Sequence, residues 1–142
     1  MKPWLLDTVT ISELRKGKRT DSNVLDWFKT IDSNRCWLSV ISLTEILTGI
    51  KRVKSKDKIF ADKLEHWYHE KVLPQFRNRL CLIDQPTAEL AAEFIASKGL
   101  TTHDAYIAAT AATKDFTLVT RNIDDFSKTE VRIINPWRPL NL

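Results

Sequence analysis

Trp37-Leu38-Ser39-Val40-Ile41-Ser42-Leu43-Thr44-Glu45-Ile46-Leu47-Thr48-Gly49-Ile50 changes character part-way along its length. Trp37 to Val40 is a short apolar run of strand type, and Ser42 to Ile50 reads as a helix ended at Gly49. A strand that passes directly into a helix is the repeating unit of α/β domains, so the same alternation is sought on either side. Further strand candidates are Trp4 to Leu6, Leu80 to Ile83, Thr117 to Thr120 and Val131 to Ile134. Helical segments separate them: Ser12 to Arg15, Ser22 to Ile31, an arm from Lys56 to about Phe76, a helix opened by Pro86 and stopped at Gly99, and His103 to Lys114. This order predicts an α/β fold with a mainly parallel sheet.

At 142 residues the chain is expected to form one domain over 1–142. Its composition is globular, 43% apolar and 28% charged. No apolar run is long enough to cross a bilayer, and Met1-Lys2-Pro3-Trp4-Leu5-Leu6-Asp7 meets its charge too early for a signal peptide. A cytoplasmic protein without membrane contact is therefore expected. Cys36 and Cys81 each lead into an apolar segment and have no CxxC partner, which favours buried, reduced thiols. His66 and His69 lie three apart in a very polar segment, better read as a solvated helix face than as a zinc site.

The net charge is +4, with basic clusters at Arg15-Lys16-Gly17-Lys18-Arg19 and Lys51-Arg52-Val53-Lys54-Ser55-Lys56. Such clusters attract polyanions without choosing among sequences, and solvated loops explain them equally well. More telling are three acids placed where segments meet: Asp7 after the first strand, Glu45 after the second, and Asp104 at the start of an alanine-rich helix. Each has an ordinary structural explanation. Asp7 can cap the next helix, Ser42-Leu43-Thr44-Glu45 fits a capping box, and so does Thr101-Thr102-His103-Asp104. Their joint placement at the rim where parallel sheets build ligand sites argues for a shared site, and gathered carboxylates call for a hard cation such as Mg²⁺ or Mn²⁺ or for raised pKa values.

The chain also resembles the PIN-domain ribonucleases of the VapC type, and most closely their FitB-like branch. The resemblance rests on Leu5-Leu6-Asp7-Thr8 with Ile11 to Gly17, Leu38 to Ile46 with Gly49, and Asp104-Ala105-Tyr106-Ile107-Ala108-Ala109-Thr110-Ala111. It continues through Leu118-Val119-Thr120-Arg121-Asn122 with Asp125-Phe126 to Asn135-Pro136-Trp137, in family order along the whole chain. It implies a three-layer PIN fold, a central sheet flanked by helices, and the toxin of a type II toxin–antitoxin system acting as a metal-dependent endoribonuclease on RNA. Asp7, Asp104 and Glu45 would stand around Mg²⁺ or Mn²⁺, with Asn122 as the fourth site residue and Thr8, Ser42, Thr120, Arg121 and Asp125 as supporting or substrate-contacting groups. It further implies a homodimer, a cognate VapB-like antitoxin and a larger assembly with that antitoxin on DNA.

Two positions depart from the family pattern. Val9 stands where relatives carry an asparagine, and Asn122 stands where many carry a fourth acid, a role that Asp124 or Asp125 could take instead. The alternative function is a non-catalytic module of the same fold that binds nucleic acid or a partner. A receiver or nucleotide-binding domain is disfavoured, because Gly17, Gly49 and Gly99 are the only glycines and form no phosphate loop.

Overall fold

The computed structural model describes residues 2–140. Strands β1 (Trp4–Leu6), β2 (Cys36–Ser39), β3 (Leu80–Cys81), β4 (Thr117–Val119) and β5 (Ile133–Ile134) form one sheet in the order β3-β2-β1-β4-β5. All four pairings are parallel, with Leu5 opposite Trp37 on one side and Leu118 on the other. Parallel neighbours need crossovers, and the helices that supply them cover both faces of the sheet. Side-chain alternation divides the core accordingly. Leu5 and Leu118 point into a layer with Ala91, Phe94, Ala105, Ala108 and Phe126, while Leu6 and Val119 point into the opposite layer with Ile11, Trp27, Ile46 and Phe76. The three-layer PIN-like arrangement expected from the sequence is the one observed.

The helices are α1 (Thr8–Leu14), α2 (Ser22–Thr30), α3 (Val40–Lys54), α4 (Lys58–Trp67), α5 (Leu73–Phe76), α6 (Gln85–Lys98), α7 (Thr102–Lys114) and the single turn α8 (Ile123–Phe126). Alanines and Ile107 bury one side of α7, which lets it lie close to α6. Gly99 closes α6 in the left-handed conformation at φ 71°, as its position after the apolar stripe predicts. The arm expected from Lys56 to Phe76 is helical, but Tyr68–Val72 forms a π-helical turn inside it. Pro74 explains the widening: it has no N–H for the carbonyl of Glu70 and its ring crowds that oxygen.

Two helix boundaries differ from the sequence reading. α1 begins at Thr8 rather than Ser12, because Asp7 caps it. α3 runs from Val40 to Lys54 and passes through Gly49 without stopping. Gly49 lacks the left-handed backbone that ends a helix, and burial of Ile46 and Ile50 on either side outweighs its roughly 1 kcal/mol helix penalty. A Cβ built at Gly49 meets no atom within 4 Å. Gly49→Ala is therefore expected to stabilise the protein by about 1 kcal/mol, read as a higher melting temperature; a lower one would mean that this face needs the glycine for another reason.

Candidate active site

With the order β3-β2-β1-β4-β5, crossovers leave β1 toward one edge of the sheet and return to β4 on its other side. The carboxyl ends of β1 and β4 consequently flank a topological switch point, the crevice where open parallel sheets place ligands. Asp7 follows β1 directly, and Thr120 follows β4. The N–H of Asp7 donates to the Val119 carbonyl at 3.0 Å, which carries the strand ladder one residue further and fixes the backbone of the acid.

The Asp7 side chain does cap α1: its Oδ1 accepts from the Thr10 N–H at 2.8 Å and from the Thr10 hydroxyl at 2.7 Å. It also lies in the site, only 7% exposed. Burial raises its pKa above 3.8, hydrogen bonds from Thr120 and Thr10 pull it down, and the charge of Glu45 pushes it up again. One carboxylate thus serves as a helix cap and as part of a charged pair.

Glu45 has no such structural duty. The expected capping box is not formed, since β2 runs straight into α3 and the cap is Ser39, whose hydroxyl accepts from the Ile41 N–H at 3.0 Å. That shift places Ser42 and Glu45 three residues apart on one face inside the helix, both turned toward Thr8. The Thr8 hydroxyl lies 2.6 Å from Glu45 Oε1 and 2.9 Å from Ser42 Oγ. It has one proton to give, and the carboxylate is the stronger acceptor. Ser42, fully buried, is the second acceptor within reach of the Thr8 hydroxyl and braces the arrangement from beneath.

Asp104 combines both readings as Asp7 does. Thr101 caps α7 and its hydroxyl accepts from the Asp104 N–H at 3.4 Å. The carboxyl is raised above 3.8 by burial first, lowered by a hydrogen bond with Thr101, and raised again by Glu45, Asp125 and Asp7. Those last three name its neighbours. Acids separated by dozens of residues feel one another's charge at the carboxyl edge of the sheet.

At the fourth position, Asn122 donates its side-chain amide to Asp125 Oδ2 at 2.9 Å, and its N–H donates to the Thr120 hydroxyl at 3.0 Å. Of Asn122, Asp124 and Asp125, it is the Asp125 carboxylate whose charge reaches Asp104, with Asn122 as its tether. Arg121 is exposed and holds its guanidinium over Trp137, 5.3 Å from the ring centre. Val9 is 54% exposed on the first turn of α1. His66 and His69 are also exposed, as the solvated-face reading expects.

One neighbour escaped the sequence reading. His103 Nδ1 lies 3.5 Å from Glu45 Oε2. The sequence signal for it is its place directly before Asp104 at the start of α7. Beyond Glu45 and Thr8 the surface continues as a groove past Gly49, Phe60, Leu64 and Trp67. Arg15 covers Phe60 along this groove, its guanidinium 5.5 Å from the ring centre.

Among the described residues no group of three or more His, Cys, Asp or Glu side chains is drawn together tightly enough to cage a metal ion. The donors are nevertheless of the kind a hard dication prefers, hydroxyl oxygens beside carboxylates whose charges bear on one another. Mg²⁺ keeps several waters and takes only one or two carboxylates directly, so a loose oxygen site suits it. Among the described residues no helix is long and apolar enough to cross a membrane.

Comparison with known families matches residues 4–131 to the PIN domain. The chain belongs to the PIN-domain family. Its relatives place this PIN domain with the VapC and FitB type. It is 32% identical over 142 residues to VapC ribonuclease Y4jK of Sinorhizobium fredii, covering 95% of this chain and 98% of that one. It is 29% identical over 140 residues to Toxin FitB of Neisseria gonorrhoeae, covering 94% and 97%. The crystal structure of FitAcB from Neisseria gonorrhoeae superposes with a TM-score of 0.83 at 28% identity, over 94% of this PIN domain and 98% of the matched chain.

Proposed function

We propose that this PIN domain is the toxin of a type II toxin–antitoxin pair and acts as a metal-dependent endoribonuclease. The observation that carries the proposal is the convergence of Asp7 after β1, Glu45 on α3 and Asp104 on α7 at the switch point of the sheet, where the charge of Glu45 bears on both aspartates and that of Asp7 on Asp104. Repelling carboxylates cost the empty fold stability, and a divalent cation repays that cost. The relatives' names, a ribonuclease and a toxin, point the same way.

Asp7 and Asp104 would hold Mg²⁺ or Mn²⁺, with Glu45 reaching the ion directly or through water. When bound, such an ion offsets charge on the scissile phosphate and lowers the pKa of water beside it. Thr10 and Thr120 keep the Asp7 carboxyl in one orientation. Thr8, braced by Ser42, does the same for Glu45 and leaves it aimed to receive a proton from the attacking water. Asn122 and Asp125 complete the rim beside Asp104.

The partners that fit are an RNA substrate, a second copy of the chain and a VapB-like antitoxin, the larger assembly sitting on DNA. A regulatory module without catalysis is the second reading, favoured by the neutral Asn122 at the fourth site position. Incubating purified protein with single-stranded RNA decides between them. Cleavage stimulated by Mn²⁺ and abolished by EDTA is expected; salt-sensitive binding with no cleavage under any divalent ion would leave the module.

A further inference from the structure

On the side of the sheet that carries Leu6, the helices α1 and α2 and the arm of α4, the π-helical turn and α5 do not close fully on one another. They leave a cavity of about 230 Å³, lined by Leu6, Ile11, Leu25, Phe28 and Phe76 from the same core layer and its edge. The one hydroxyl among its lining side chains, on Thr20, is already engaged with the Glu13 carbonyl at 3.2 Å. The other polar lining groups are Arg15, Lys71, Gln75 and the Trp67 indole. All of them donate hydrogen bonds, and only Gln75 can also accept. Among the described residues neither Arg15 nor Lys71 is in an ion pair. Arg15 rests over the Phe60 ring, and Lys71 is exposed at the rim on the π-helical turn, a distortion that recurs at functional sites.

We propose that this cavity binds a medium-chain carboxylate, its alkyl chain among the apolar side chains and its head between Arg15 and Lys71. Small-molecule sites between helices have this make-up, mostly apolar with a few converging polar groups. An apolar space of about 150 Å³ already takes up benzene, so 230 Å³ accommodates a longer hydrocarbon body. The polar groups then choose the head. A sugar or nucleotide brings hydroxyls that would find almost no acceptor here, and a buried unpaired hydroxyl weakens binding. An alkylammonium head would meet two like charges, whereas a carboxylate accepts from both cations and from the Gln75 amide. The site is independent of whether the protein cuts RNA.

The test is calorimetric titration of the wild type with octanoate, octanol and octylammonium, with methyl NMR shifts locating the ligand. Octanoate is expected to bind saturably and more tightly than the other two, with the largest shifts at Leu14, Leu25 and Val72. Hexanoate should bind about fourfold more weakly for each methylene lost. A chain carrying both Arg15→Gln and Lys71→Gln, first shown to melt like the wild type, should lose about tenfold for octanoate and nothing for octanol. Leu25→Phe fills the cavity and should lose both ligands; the shift map identifies the site without relying on the folding of that variant. Absence of saturable octanoate binding, equal affinity for octanoate and octanol, full affinity in the double variant, or shifts centred elsewhere would each overturn the proposal. So would finding these methyls covered by a second copy of the chain and uncovered on dilution, which would assign the cavity to self-association.

Discussion

Asp104→Asn is expected to cut RNA about 10²–10³-fold more slowly than the wild type, while its metal-free form melts at the same temperature or higher. The two halves of this result have one cause. The Asp104 carboxyl is raised by burial and by the charges of Glu45, Asp125 and Asp7, so its ionised form is a burden in the empty site. Asparagine keeps the shape and removes the charge. The folded protein binds the Asp104 proton more tightly than the unfolded chain, so it carries more protons as pH rises from the ordinary 3.8 through the raised pKa. The Asp104 share of stability therefore falls across that window in the wild type and is absent from the variant, while the buried Asp7 contributes a similar fall to both. Melting temperatures in EDTA should separate as pH rises through the window and stay separated above it. Saturating Mg²⁺ should reverse the order, since an ion at about a hundred times its Kd adds roughly 2.7 kcal/mol to the protein that binds it. Wild-type cleavage rates in Asp104→Asn would remove this acid from the chemistry.

Much of the fold was legible because its signals are local. Short apolar runs ended by an acid or a turn became strands, and Pro86 with Gly99 bracketed α6. The boundaries that moved were those settled by tertiary contacts. Gly49 carries a stop signal in isolation, but burial of Ile46 and Ile50 holds α3 together beyond it. Ser42 and Ser39 are equally good caps in one dimension. The direct passage of β2 into α3 chose Ser39, and only that choice freed Ser42 and Glu45 to face Thr8.

The site divides the same way. Asp7 and Asp104 could be placed at strand and helix ends by pattern, because capping geometry and the switch point demand the same position. Pattern could not order the strands, and strand order is what sets Asp7 beside Thr120. Nor could it choose among Asn122, Asp124 and Asp125, since one turn of helix decides which carboxylate faces Asp104. The contacts of His103 with Glu45 and of Arg121 with Trp137 join side chains from separate segments and are invisible to periodicity.

Comparing Asp7→Asn with Asp7→Ala separates the two duties of that residue, and their activities should fall alike while their stabilities diverge. Both variants lose the negative charge at the switch point, so both should lose about 10²–10³-fold in cleavage. Asparagine is as good a helix cap as aspartate, and its side-chain oxygen can still accept from the Thr10 N–H and hydroxyl that now meet Asp7 Oδ1. Alanine offers no acceptor. Asp7→Ala therefore forfeits the cap, a loss of about 1 kcal/mol or roughly 4 °C in melting temperature for a chain of this size. The deficit should be measured against Asp7→Asn and not against the wild type, because both variants escape the repulsion that Glu45 exerts on a buried Asp7 carboxylate. Asp7→Asn should thus melt at or above the wild type in EDTA and Asp7→Ala below Asp7→Asn. Equal melting of the two variants would mean that the Asp7 cap carries no weight in α1, and full cleavage by Asp7→Asn would mean that the charge at this position is not what the reaction uses.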